Sequence, residues 1–122
     1  AKYYGTWDFF RHPYLSGDAA LALVELGIKI VGTDGSSADA AYGFSTAKRL
    51  ENPTFSEILE NIERENIKNE AHAALLGNEC LIVEYMCNLE QLPKEAATYS
   101  FLPLKLMEAD GSPVRAICMI SE

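Results

Sequence analysis

"EAHAALLGNECLIVEYMCNLEQLP", residues 70–93, decides how this chain is read. "NEAHAALLG" reads as a short helix stopped at Gly77, "ECLIVEYM" as a strand, and "NLEQLP" as one helical turn closed by proline. Alternation over 80–87 puts Cys80, Ile82, Glu84 and Met86 on one face, with Leu81, Val83, Tyr85 and Cys87 on the other. Both faces are mostly apolar, so the strand is expected to be central and covered on both sides. A bare Glu84 carboxylate there would cost several kcal/mol. Three partners are open to it: a metal ion, Arg115 beside Ile117 and Met119 on the last strand, or its own proton. His72 lies early in the helix and Glu84 late in the strand. A helix leading into an antiparallel neighbouring strand brings those two ends to the same side, so the two side chains are placed to converge. His and Glu suit zinc or manganese, although a catalytic zinc usually takes three protein ligands and a water.

Upstream, "HPYLSGDAALALVELGIKIVGTDGSSAD" predicts a helix capped by Ser16, with Asp18 in its first turn and Ala20, Leu23 and Val24 along one stripe. Gly27 stops it, "IKIVG" alternates as a strand, and "TDGSSAD" forms a polar loop at that strand's carboxyl end, where α/β sheets tend to build sites. His12, in "RHPY", fits an extended pre-proline segment. In "TFSEILENIERENI" the residues Phe55, Ile58, Leu59 and Ile62 recur at helical spacing after Thr54, with a Glu60–Arg64 pair outside. Downstream, "ATYSFLPLKLM" and "PVRAICMI" read as an antiparallel hairpin joined by "EADGSP", whose Asp-Gly suits a tight turn.

The 122 residues suit one domain over 1–122, with no repeat or linker. The expected fold is α/β, a mixed and largely antiparallel sheet with flanking helices. Ten Lys and Arg against eighteen Asp and Glu give a net charge of −8, a field that repels a phosphate backbone, so no nucleic-acid partner is expected. Much of the acid lies over 51–70, as a solvated helix face. No apolar run is long enough to span a membrane. The three cysteines, Cys80, Cys87 and Cys118, lack zinc-knuckle spacing and predict reduced, buried thiols in a cytoplasmic setting. No signal peptide or initiator methionine begins the sequence, so the chain is expected to be trimmed, processed or cut from something longer.

An ordered series of short matches gives the sequence a likeness. They are His72 with Leu75, Leu76 and Gly77; Ile82 and Glu84 with Asn88 and Leu89; Pro103, Leu104 and Lys105; and Gly111, Ser112 and Pro113 with Arg115. Before them come Leu15 and Ser16, a helix, a strand, and Asp34, Ser37 and Asp39 in an Asp-x-x-Ser-x-Asp pattern. Together they resemble the C-terminal part of the cyclase family of metal-dependent hydrolases, of the kynurenine formamidase type, over nearly the whole chain except 40–68.

The resemblance implies the swivelling β/α type of fold, with His72 and Glu84 as metal ligands and catalytic residues. It also implies a zinc or manganese cofactor and hydrolysis of a small-molecule amide or cyclic amide. The family's His-x-Gly-Thr-His-x-Asp-x-Pro-x-His motif is absent from these residues, so at most two family ligands are present. The chain is therefore expected to be incomplete alone. Its missing ligands would come from an N-terminal companion polypeptide or through a homo-oligomer. Asp34, Ser37 and Asp39 are expected to fix their loop through side-chain to backbone hydrogen bonds. The alternative is a truncated, non-catalytic relative serving as a binding or scaffolding module, in which Arg115 pairs with Glu84.

Overall fold

The computed structural model describes residues 12–40, 54 and 68–120. Helix α1, Gly17–Glu25, begins where the sequence supplies a cap: Ser16 Oγ accepts the Ala19 N–H at 3.2 Å, and Asp18 sits at the positive end of the helix dipole. It ends at Gly27, whose φ of +79° lies in the left-handed region that a side chain would strain. Strand β1, Ile30–Gly32, follows. Helix α2, Glu70–Leu76, leads into strand β2, Leu81–Val83, which pairs parallel with β1 in the register Ile30↔Leu81, Val31↔Ile82, Gly32↔Val83. A parallel pair needs a crossover, and α2 lies within it.

The core of this unit sits where α1 packs on α2 and α2 on β2. Ala20, Ala38, Ala71, Leu75 and Cys80 are buried together, with Leu15, Val24, Val31, Ala74 and Ile82 against them. Small residues on both helices allow close approach, and Leu75 supplies the bulk. Full burial of a leucine contributes about 1.5–3 kcal/mol.

A second compact unit begins at Asn88. Asn88, left-handed at φ 61°, opens a 3₁₀ turn over Leu89–Gln91. Strand β3, Thr98–Pro103, then pairs antiparallel with β4, Val114–Met119. The register and the pleat place Tyr99, Phe101 and Pro103 with Val114, Ala116 and Cys118 on one hairpin face.

Among the described residues the protein is a small α/β protein with two helices and two two-stranded sheets, one parallel and one antiparallel. The α/β class and the antiparallel pair are as expected, whereas the mixed, largely antiparallel sheet is here two separate two-stranded sheets. Three local predictions also need correcting. The strand expected over 80–87 is paired only over Leu81–Val83, because its partner β1 is that short and Tyr85 leaves the extended region at φ 57°. Nor is it covered on both faces, since Leu81 is 60% exposed. The hairpin turn is not at Asp110-Gly111. The ladder ends at Pro103↔Val114, with one further bond from Leu104 N–H to Pro113 O at 3.3 Å that Pro113, lacking an N–H, cannot return, and the chain turns at Met107 and Glu108, with Glu108 at φ 54°. The helix expected from Thr54 onward, with Phe55, Ile58, Leu59 and Ile62, lies outside the described residues apart from Thr54 itself. No described helix is long and apolar enough to cross a membrane.

Candidate functional site

The site is built on the loop that leaves β1, residues 33–39. Its backbone is tied to the strand end beside it. Thr33 N–H donates to Val83 O at 2.9 Å, Tyr85 N–H to Gly35 O at 3.0 Å, and Met86 N–H to Thr33 O at 3.0 Å. Inside the loop, Thr33 Oγ1 accepts the Gly35 N–H at 3.0 Å and Ser37 Oγ accepts the Asp39 N–H at 3.2 Å. Leu15 N–H closes it from the other side on Ala38 O, at 2.9 Å. His12 also belongs to this scaffold. Its Nδ1 lies 2.7 Å from Pro13 O and its Nε2 lies 3.1 Å from Ser36 Oγ. The His12 ring rests on Gly35, where a Cβ would come within 2.9 Å of Nδ1, so a side chain there would have to displace the ring.

This scaffold delivers a buried carboxylate to the start of α2. Asp39 Oδ1 accepts the Ala71 N–H at 2.7 Å, and Asp39 Oδ2 accepts the His72 N–H at 2.9 Å. Asn69, the residue before the helix, makes no side-chain capping bond, so Asp39 caps α2 from a distant loop. The same Oδ2 lies 2.6 Å from His72 Nδ1. On the far side of the ring, His72 Nε2 faces Glu84 Oε1 at 3.5 Å. Glu84 stands one residue past β2, and its Oε1 also accepts the Ala38 N–H at 3.0 Å. The row is therefore carboxylate, imidazole, carboxylate. Its inner end is shut off, with Asp39 only 5% exposed at the side chain, while His72 and Glu84 retain 30% and 27%.

Two electron-pair donors facing each other over such a gap can share a proton or grip a cation. For a tetrahedral zinc with bonds of about 2.0–2.2 Å, neighbouring donor atoms stand about 3.4 Å apart. The observed 3.5 Å matches that spacing. The position of Asp39, on the nitrogen away from the gap, is where histidine ligands hold an outer carboxylate. Two donors are half of a site. Among the described residues, no three His, Cys, Asp or Glu side chains are grouped so as to hold a metal by themselves.

No family model matches the chain, and no solved structure matches it.

The other residues singled out in the sequence fall as follows. Ser37 does tie its loop together, whereas Asp34 is exposed and Thr33 holds the turn around it. Arg115 lies exposed on β4 in the second unit, opposite Leu102. Within its own unit Glu84 has the Ala38 amide and the His72 ring as neighbours. All three cysteines are free. Cys80 is buried, its thiol donating to Ile28 O at 3.0 Å, but Cys87 is exposed and Cys118 half-buried, contrary to the expectation that all were covered. Cys87 lies beyond the end of β2, where the predicted strand no longer exists to bury it.

Sequence reasoning gave Asp39 a role in its own loop and missed its place behind His72. No local signal could have supplied it. Asn69 already stands where a helix cap is sought, and a bond across 33 positions leaves no spacing pattern.

Proposed function

We propose that this chain forms part of a metal-dependent hydrolase of the cyclase family, in which His72 and Glu84 bind one side of a zinc or manganese ion. The substrate class is a small-molecule amide or cyclic amide. The observation that carries this reading is the facing of His72 Nε2 and Glu84 Oε1 at 3.5 Å, with Asp39 behind the imidazole. When bound, such an ion supplies Lewis acidity toward a carbonyl and activates water as the nucleophile. The chain's own residues do the positioning. Asp39 orients the His72 ring, the Ala38 N–H fixes Glu84 Oε1, and the partial exposure of His72 and Glu84 admits a ligand.

The further ligands would come from an N-terminal companion polypeptide or through a homo-oligomer. Three free thiols support a reducing, cytoplasmic setting. The test is elemental analysis for zinc and manganese, with titration of both metals into the chain, His72→Ala and Glu84→Ala. The titration is repeated with any co-purifying polypeptide, and that assembly is assayed on a formyl-amide and a cyclic amide. Metal binding that both substitutions abolish, together with hydrolysis by the assembly, supports the reading. Absence of His72-dependent binding in the chain and the assembly alike rejects it.

A further inference from the structure

The buried end of the row has a chemical consequence for its exposed end. Asp39 Oδ1 accepts the Ala71 N–H, and its Oδ2 accepts the His72 N–H while lying 2.6 Å from His72 Nδ1. An ionised carboxylate can only accept, so the hydrogen in that shortest contact belongs to Nδ1. A neutral imidazole carries one N–H. If it is at Nδ1, then Nε2 is a lone pair. That lone pair faces Glu84 Oε1, itself an acceptor that takes the Ala38 N–H.

We infer that Asp39 is a positioning residue that sets the tautomer of the neutral His72 ring: it holds the single proton on Nδ1 and so leaves Nε2 as an electron pair directed at Glu84. The helix cap and the tautomer lock use one side chain. The two backbone N–H bonds fix where Oδ2 stands, and that position selects the nitrogen that is protonated. The exposed gap is then kept with donors of electron pairs on both sides, ready for a cation. The functional weight of this arrangement rests on the metal reading above, but the tautomer itself does not, so the two can fail separately.

The experiment is ¹⁵N NMR of the neutral imidazole in the metal-stripped full chain, with His12→Gln used to assign the His72 signals. Wild type is expected to show a protonated Nδ1 and an unprotonated Nε2 at His72. Glu84→Gln, which retains an oxygen for the Ala38 N–H, is expected to keep that state. Asp39→Ala is expected to lose it and to move toward the Nε2–H form that free imidazole side chains prefer.

An Asp39 that only caps α2 would leave wild type in the Nε2–H form, which overturns the inference. So does an Nδ1–H form that persists in Asp39→Ala or disappears in Glu84→Gln. If Asp39→Ala does not fold, wild type and Glu84→Gln decide: Nδ1–H in both supports the inference, and Nε2–H in either rejects it. A correct tautomer with no metal binding would leave this inference standing and remove the hydrolase reading instead.

Discussion

Asp39 and His72 are 33 positions apart, yet one carboxylate oxygen of Asp39 meets both the backbone N–H and the ring Nδ1 of His72, at 2.9 and 2.6 Å. The same side chain caps Ala71. Losing it leaves two helix N–H groups without their acceptor, one of them on a fully buried residue. Caps are worth about 1 kcal/mol, and a buried donor left unpaired costs about 1–3 kcal/mol. Asp39→Ala should therefore lower the unfolding free energy by about 2–3 kcal/mol in urea, with faster amide exchange at Ala71 and His72. A loss below about 0.5 kcal/mol, the range of ordinary surface changes, would mean that water replaces the carboxylate.

The two leucines that end α2 separate burial from composition. Leu75 is fully buried and Leu76 is 53% exposed. Leu75→Ala is expected to cost about 2–5 kcal/mol by removing core volume, and Leu76→Ala less than about 1 kcal/mol. Chemical denaturation of the pair checks the helix register directly. Equal losses would place α2 on a different face.

Tyr85 follows Glu84 and holds φ 57°, while its N–H donates to Gly35 O. That conformation turns the chain away from β2 and sets Glu84 toward the loop. For an L side chain it costs about 1–2 kcal/mol, and glycine avoids the cost. Tyr85→Gly should therefore be more stable than Tyr85→Ala by about 1 kcal/mol, reversing the usual order. Thermal melts of the two variants suffice, because both remove the ring and differ only at the backbone.

Tyr99 sits opposite Cys118 across the hairpin. Desolvation of the phenol, then its hydrogen bond with the Cys118 thiol, then the charge on that sulfur, all push Tyr99 above the ordinary 10.0. The folded state thus binds the phenolic proton more tightly than the unfolded state. Its contribution to stability is whole below pH 10.0 and is lost as pH rises through the higher folded value. Phenolate absorbance, read as the difference between wild type and Tyr99→Phe, should show this late step, and Cys118→Ala should bring it earlier. An unchanged titration in Cys118→Ala would detach the thiol from the effect.

Much of the local structure is legible in the sequence. Ser16, Asp18 and Gly27 delimit α1 because capping and chain reversal depend on residues within a turn of each other. The order of the described elements, the stop of α2 at Gly77, the turn after Asn88 and the antiparallel hairpin follow from the same short-range rules. So does the nomination of His72 and Glu84, each a polar group in apolar company.

Tertiary structure alone decided the rest. How far β2 runs depended on the three residues that β1 offers it, and alternation over 80–87 carries no information about a partner's length. The parallel pairing and the exposure of Leu81 and Cys87 have the same origin. The carboxylate behind His72 is the clearest case. A hydrogen bond needs two atoms within about 3 Å, and only the packing that ties the 33–39 loop to the end of β2 brings Asp39 there. The sequence by itself determined which side chains could do chemistry. The packed loop decided which of them meet.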